Sequence, residues 1–155
     1  MVSIKRMEPE DHPALLRLWN RFEETTTTGA DGPEGFAGFL GRNEGLCYCA
    51  VDGEDLIGSV MAGDDGRRGY VYHLAVDERY QGRGVGRMLM EEVEKSLRSR
   101  GVEKAHLFIY GDNPAIDFYR RLGWHLRGDI EIMSKVLIGS EYMGTRLDEG
   151  GADRE

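Results

Sequence analysis

Cysteine is scarce in this 155-residue sequence, which contains only Cys47 and Cys49. Two cysteines cannot build a disulfide framework, and their spacing in a strand pattern puts both side chains on one face, where they do not pair easily. They also lack the further cysteine or histidine ligands that a zinc site needs. We therefore expect two buried, reduced thiols and no bound metal.

Long apolar runs are also missing. No segment approaches the roughly 20 consecutive apolar residues that cross a membrane. Residues 1–7 alternate apolar and polar side chains as a strand does, without the apolar core of a signal peptide. These features predict a cytoplasmic protein of one domain without a membrane partner.

Positive charge is in the minority, because 20 Lys and Arg face 28 Asp and Glu, a formal net charge of −8. Proteins that bind a nucleic-acid backbone present clustered Lys and Arg, so no nucleic-acid partner is expected. An acidic surface attracts cationic substrates such as amines, but the same charge is also a common solubility feature. Both interpretations stay open.

Glycine, in contrast, is plentiful at 22 residues, and it marks the most informative segment, residues 74–87. An apolar strand there runs into a turn containing Gly82, Gly84 and Gly86 and then directly into an amphipathic helix. Glycines let backbone N–H groups close on an anion, and the helix N-terminus adds free donors and a positive dipole. The segment predicts a ligand that carries a phosphate or pyrophosphate.

Spacing excludes two other phosphate loops. The dinucleotide fingerprint G-x-G-x-x-G, counted from Gly82, needs glycine where Arg87 stands, and counted from Gly84 it needs glycine where Leu89 stands. A P-loop needs Gly-Lys followed by Ser or Thr, and neither count supplies it. The remaining pattern is Gln-x-x-Gly-x-Gly, which begins at Gln81.

A second motif follows the strand pattern of residues 104–110 and reads Asp-Asn-Pro-Ala-Ile-Asp-Phe-Tyr-Arg-Arg-Leu-Gly-Trp over residues 112–124. Together the two motifs resemble the coenzyme A pyrophosphate loop and the Asn…Ala-x-x-Phe-Tyr…Leu-Gly-Phe segment of the GNAT superfamily of N-acyltransferases. The resemblance covers about residues 2–137. Residues 63–69 further resemble the YpeA-like bacterial subgroup.

Apolar periodicity predicts the elements around these motifs. A first helix carries its core-facing residues at Leu15, Leu18, Trp19 and Phe22. Further helices are expected over 34–42, over 84–100 and after an N-cap at Asp112 or Asn113. Strands are expected at the N-terminus and over 46–52, 55–63, 70–76, 104–110, 124–127 and 131–137.

This order of elements indicates an α+β protein. The resemblance implies the GNAT fold, a mixed and mostly antiparallel sheet of six to seven strands with helices on both faces. The domain is expected over residues 1–138, followed by an acidic C-terminal tail over 139–155 that is partly disordered. The resemblance also puts the polar loop over 23–33 on the acceptor side, although an idle surface linker would have the same composition.

The resemblance implies acetyl-CoA as cosubstrate, held without a metal. Two strands would splay apart to admit the pantetheine arm, which would hydrogen-bond the backbone of Leu74, Ala75 and Val76, with the Val76 amide near the thioester oxygen. Main-chain amides of the glycine turn would hold the pyrophosphate, and Arg83 and Arg87 would either add charged contacts or be solvated. The implied cofactor-binding residues are Leu74, Ala75, Val76, Gln81, Gly82, Arg83, Gly84, Val85, Gly86, Arg87, Asn113 and Tyr119. At Asn113 the sequence departs from the family pattern, because the family usually has two residues between the asparagine and the alanine and this sequence has only Pro114.

Acyl transfer to an amine needs a neutral nucleophile, donors for the developing oxyanion and an acid for the departing thiolate. The resemblance makes Tyr119 the acid, because a phenol with a pKa near 10 is protonated at neutral pH and can give its proton to a thiolate. Without the resemblance, a tyrosine packed beside Phe118 on a helix face would be the favoured interpretation.

The base is harder to identify, because the strand over 106–110 offers no carboxylate where several family members have a glutamate. His73 is the nearest titratable side chain to the proposed thioester site and would act through a water. It can equally be a core histidine, with water alone carrying the proton, and Tyr72 and Asp112 are weaker alternatives. His12, at a helix start, is expected to be exposed.

These features predict an N-acetyltransferase that moves the acetyl group of acetyl-CoA to a primary amine of a small molecule or protein by direct attack in a ternary complex. A non-catalytic acyl-CoA-binding or regulatory module with the same fold is the alternative. The acceptor itself is not predicted, and both a monomer and a homodimer stay open.

Overall fold

The computed structural model describes residues 1–22 and 29–138. In chain order the elements are β1 (Val2–Arg6), α1 (His12–Trp19), α2 (Pro33–Arg42), β2 (Tyr48–Asp52), β3 (Asp55–Asp64), β4 (Gly69–Val76), α3 (Val85–Ser99), β5 (Ala105–Leu107) and α4 (Ile116–Arg121). Short 3₁₀ turns lie at Pro9–Asp11, Gly29–Asp31 and Glu78–Tyr80. The tail over 139–155 and part of the loop over 23–33 lie outside the described residues, so the domain boundary at residue 138 stays a prediction.

The strands form one sheet in the order β1-β2-β3-β4-β5. Strands β1 to β4 are antiparallel neighbours, and β5 runs parallel to β4. The turn between β2 and β3 uses Gly53 at a φ of +61°, a backbone conformation that glycine adopts without a steric penalty. The sheet is therefore mixed and mostly antiparallel, as expected.

The expected number of strands, six to seven, is wrong for the described residues, which form a five-stranded sheet. Residues 124–127 and 131–137 belong to no strand, and apolar side chains among them are exposed: Leu126 by 58%, Ile132 by 62% and Leu137 by 86%. An alternating pattern tells which residues share a face, but a strand also needs a neighbouring edge to pair with. Strand β5, at one edge of the sheet, is three residues long rather than the seven expected over 104–110.

Helices cover both faces of the sheet, as expected. Helix α3 packs its apolar face on one side, where Leu89, Met90 and Val93 are fully buried. Helices α1 and α2 cover the other side with a second core that includes Trp19 and Phe36. None of the helices within the described ranges has the length and apolar character needed to span a bilayer.

Cys47 and Cys49 are buried free thiols in the core beneath α1 and α2, which confirms the prediction. Burial raises the pKa of Cys47 to about 11 and that of Cys49 to about 12. Both therefore stay protonated at neutral pH, and neither is a reactive nucleophile.

Candidate functional site

The site begins where β4 and β5 separate. The two strands pair only over Gly69–Val71 and Ala105–Leu107, and β4 then continues to Val76 without a partner on that side. A cleft of about 1130 Å³ lies along this free edge of β4, between α3 and α4. The structure thus contains the divergence of two strands that the resemblance implied.

Most of the predicted site residues meet in this cleft, although they come from three separate elements and two of the connections between elements. Those that line it are His73, Leu74, Ala75, Val76, Gln81, Gly82, Gly84, Val85, Gly86, Arg87, Asn113 and Tyr119. Arg83 does not line it, because its guanidinium lies over the ring of Tyr80, 5.3 Å from the ring centre. Arg121, at the end of α4, lines the cleft although no pattern had singled it out.

The free edge of β4 offers backbone groups to a ligand at every second residue. The N–H of Asp77 donates to the carbonyl of Ile57 on β3 at 2.8 Å. Because backbone groups alternate in direction along an antiparallel strand, those of Val76 and Leu74 point away from β3 and into the cleft. The Val76 carbonyl already accepts a hydrogen bond from Nε2 of Gln81 at 3.0 Å, so this glutamine side chain closes the turn that follows β4.

Two glycines of the turn adopt left-handed backbone conformations. Gly82 has a φ of +75° and Gly84, the N-cap of α3, a φ of +82°. A Cβ at either position would touch nothing, so what requires glycine there is the backbone conformation. The turn therefore presents the first N–H groups of α3 to the cleft, as a phosphate site requires.

Gly86, which lines the cleft, also has a close neighbour on α4. Its φ is not positive, but a Cβ on it would lie 3.1 Å from the ring of Phe118 on α4. A side chain at this position would require the ring of Phe118 to shift by a few tenths of an ångström. Gly86 therefore contributes to the close packing of α3 against Phe118.

A buried carboxylate anchors the base of the turn. Asp77 is 2% exposed, and it accepts hydrogen bonds from the backbone and guanidinium of Arg79 and, at 2.9 Å, from the guanidinium of Arg21. These donors, Arg79 foremost, hold the pKa of Asp77 well below its usual range. The carboxylate thus ties the end of β4 to the end of α1 as an anion.

Tyr119 lies on α4 with its ring edge-on to Phe118 and Trp124, at centroid distances of 5.2 and 6.3 Å. Burial raises the pKa of its phenol to about 12. Across the described part of the chain its hydroxyl has no hydrogen-bond partner, and the residue lines the cleft. The hydroxyl is therefore a protonated donor available to a ligand.

Asn113 lies before α4 rather than capping its first turn. Its Oδ1 accepts from the N–H of Ala115 at 2.8 Å, and the helix begins only at Ile116. The predicted N-cap at Asp112 or Asn113 is thus wrong by two or more residues, because Pro114 lies in a preceding turn that the amide side chain closes.

Among the described residues, His73 is the only one other than glycine whose φ is positive, at +49°. It lies where the pairing of β3 with β4 shifts register, at a bulge between Ser59 and Met61. The hydroxyl of Ser59 donates to its carbonyl at 2.7 Å and accepts from the indole of Trp19 at 2.8 Å. The imidazole stacks on Trp19, with 4.5 Å between ring centres.

The loop between α1 and α2 adds a residue that sequence reasoning missed. Oδ1 of Asp31 lies 2.8 Å from Nε2 of His73, and the side chains are 13% and 14% exposed. His12 also holds this residue, because its Nε2 lies 2.7 Å from the carbonyl oxygen of Asp31. The expectation that His12 is exposed is wrong: it is 8% exposed, because the Gly29–Asp31 turn folds over it.

Comparison with known proteins gives consistent results. The profile described as the acetyltransferase (GNAT) family matches residues 10–124, a range that includes every predicted site residue. An acetyltransferase of Sodalis glossinidius is 30% identical over 138 residues, which are 88% of this chain and 96% of that protein. An acetyltransferase of Pectobacterium atrosepticum is 30% identical over 142 residues, which are 91% and 100%.

Solved structures share the fold. The PaiA N-acetyltransferase of Thermoplasma acidophilum, solved in complex with coenzyme A, superposes with a TM-score of 0.73 at 17% identity and covers 82% of this chain and 91% of its own. The ribosomal-protein-S18-alanine N-acetyltransferase of Escherichia coli superposes with a TM-score of 0.65 at 25% identity, covering 79% and 77%.

Proposed function

Because this chain belongs to the acetyltransferase (GNAT) family, we propose that it transfers the acetyl group of acetyl-CoA to a primary amine of a small molecule or protein by direct attack in a ternary complex. The chain is an acetyl-CoA-dependent acetyltransferase, so the proposal concerns the acceptor and the mechanism. The sequence of residues 63–69 supports a place near the YpeA-like subgroup.

The observation that carries the proposal is the continuity of one cleft from the free edge of β4 to the glycine turn and Tyr119. The pantetheine amides would pair with the backbone of Leu74 and Val76 like an added strand. The pyrophosphate would bind the N–H groups at the start of α3, with Arg87 and Arg121 close enough to add charge. Arg83 is a weaker candidate, because its guanidinium lies over Tyr80.

In the proposed reaction, the lone pair of the neutral amine attacks the thioester carbonyl carbon and the C–S bond breaks with its electron pair on sulfur. The amine proton passes to His73, directly or through a water, and the Tyr119 hydroxyl donates a hydrogen bond to the departing sulfur. An ordinary alkyl ammonium has a pKa about 3.4 units above pH 7, so little of the amine is neutral and a base near the thioester would assist the reaction.

The direct test is release of CoA thiol from acetyl-CoA across a panel of primary amines, including peptides with a free N-terminus and polyamines. We expect at least one acceptor to accelerate thiol release and to appear, by mass spectrometry, with one added acetyl group. Matched tertiary amines should give no product, because they cannot lose a proton to form a stable amide. Tight binding of acetyl-CoA without thiol release for any acceptor would favour a binding module instead.

A further inference from the structure

The contact between Asp31 and His73 joins two residues that lie 42 positions apart in the sequence. We propose that Asp31 is a positioning residue that orients the imidazole of His73, and that the pair works as a carboxylate–imidazole dyad on the acceptor side of the cleft. This inference rests on the proposed function, in which His73 takes the proton of the attacking amine.

The contact defines which ring nitrogen serves as the base. A carboxylate accepts hydrogen bonds, so Nε2 of His73 carries the proton that it donates to Oδ1 of Asp31. In a neutral imidazole the other nitrogen, Nδ1, then has the free lone pair. Nδ1 meets no hydrogen-bonding group of residues 1–22 or 29–138, and His73 lines the cleft. Nδ1 is therefore the atom that receives the proton.

The proton balance of the step is simple. One N–H proton of the amine moves to Nδ1 as the N–C bond forms, and the C–S bond breaks with both electrons on sulfur. His73 becomes an imidazolium that keeps its Nε2 proton, and Asp31 stays ionised beside it. The negative charge 2.8 Å away stabilises this cation, which is how an oriented carboxylate assists a histidine base.

The surroundings hold the ring in one orientation. The ring of Trp19 lies against the imidazole of His73. The Ser59 hydroxyl donates a hydrogen bond to the His73 carbonyl and accepts one from the Trp19 indole. A positive φ at a non-glycine residue is a strained conformation that persists only when neighbours maintain it. Such strain at a cleft residue points to a functional rather than a packing role.

Within residues 1–22 and 29–138, one charged side chain contacts the His73 imidazole. Asp31, on the Gly29–Asp31 turn, touches the imidazole itself, whereas His12 on α1 touches only the carbonyl of Asp31. The contacts from β3 and from the rest of α1 are the uncharged Ser59 and Trp19. The Asp31 carboxylate is therefore the charged group that an Asp31→Asn variant removes from the imidazole.

The experiment compares Asp31→Asn with Glu54→Gln, which removes one negative charge from an exposed position in the β2–β3 turn. For Asp31→Asn we expect unchanged acetyl-CoA affinity by calorimetry and a fall in kcat/KM for the acceptor of about 10-fold to 100-fold. The loss should fall mainly on kcat rather than on the KM for the acceptor, because the proposed role of Asp31 is to orient the base. Asp31→Glu should restore part of the rate, and Glu54→Gln should behave as the parent.

Three outcomes separate the possibilities. A parental kcat in a folded Asp31→Asn protein would overturn the dyad while leaving acetyl transfer intact. Absence of thiol release by the parent with every amine would overturn the proposed function itself. If Asp31→Asn does not fold, ¹⁵N spectra of histidine-labelled parent protein still decide: we expect His73 protonated on Nε2 alone, and a proton on Nδ1 instead would contradict the dyad.

Discussion

Tyr119 is the titratable side chain whose setting bears most directly on the chemistry of the leaving group. Burial raises its pKa to about 12, whereas an ordinary thiol has a pKa of about 8.5. Complete proton transfer from this phenol to a free thiolate would therefore be uphill by about 3.5 pK units. Its proposed contribution is a hydrogen bond that strengthens as negative charge develops on sulfur.

Tyr119→Phe removes this hydroxyl and keeps the ring that packs on Phe118 and Trp124. We expect kcat to fall roughly 100-fold with little change in acetyl-CoA affinity, because the lost hydrogen bond matters chiefly in the transition state. Stopped-flow thiol release at saturating acceptor measures this.

The matched control is Tyr48→Phe, whose hydroxyl instead bonds the carbonyl of Gly45 and the side chain of Ser96. It should lose about 1 kcal/mol of unfolding free energy but keep kcat. Equal effects of the two variants on kcat, in a regime limited by chemistry, would reduce Tyr119 to a packing residue.

Site residues that belong to a contiguous motif could be predicted from the sequence. Contacts between residues that are distant in the sequence could not. Gln81 and Tyr119 belong to short patterns with characteristic spacing, and both line the cleft. Asp31 lies in a polar segment without a motif, and the position of the Gly29–Asp31 turn beside β4 brings it to His73. The exposure expected for His12 was wrong for the same reason.

At the scale of elements, the turn between β4 and α3 is the unit on which the proposed binding of the cofactor depends. Asp77 ties its base to α1, and the left-handed Gly82 and Gly84 leave its tip open. Since no atom lies within 4 Å of a Cβ built on Gly84, a side chain there would extend into open space rather than against the protein.

Gly84→Asp should weaken acetyl-CoA binding by about tenfold or more relative to Gly84→Asn. Asn and Asp have similar size and tolerate positive φ better than other side chains, so both variants pay a similar backbone cost at φ +82°. Only Asp adds a negative charge at the start of α3, where a pyrophosphate is expected to bind. Calorimetric titration of both variants measures the difference, and equal affinity in folded proteins would make the assignment of the phosphate site untenable.

Element boundaries were predictable where a strong local pattern coincided with packing. The long amphipathic helix expected over 84–100 is α3 at Val85–Ser99, because its apolar stripe covers the sheet. Residues 131–137 carry an equally clear strand pattern and yet form no strand, because pairing depends on an edge elsewhere in the chain. Local pattern therefore predicted the helices and the β2–β4 meander better than the C-terminal part of the sheet.

For the whole molecule, function follows from one departure from regular pairing. The sheet is continuous from β1 to β4, but the parallel partner of β4 ends after three residues, and the cleft fills the space beyond. The glycine turn, the free edge of β4 and the tyrosine of α4 thereby face one volume. The glycine motif predicted a phosphate-bearing ligand. That the glycine turn, the edge of β4 and Tyr119 lie around one cleft was predicted by the resemblance to the family and not by the residue pattern.

The most direct test of this account is a crystal structure of the protein with acetyl-CoA or a non-hydrolysable analogue. We predict that the pantetheine arm pairs with the backbone of Leu74 and Val76, that the pyrophosphate lies on the amides that begin α3, and that the sulfur lies within hydrogen-bonding distance of the Tyr119 hydroxyl. Binding of the cofactor outside the cleft between β4 and β5, or a sulfur far from both Tyr119 and His73, would contradict it.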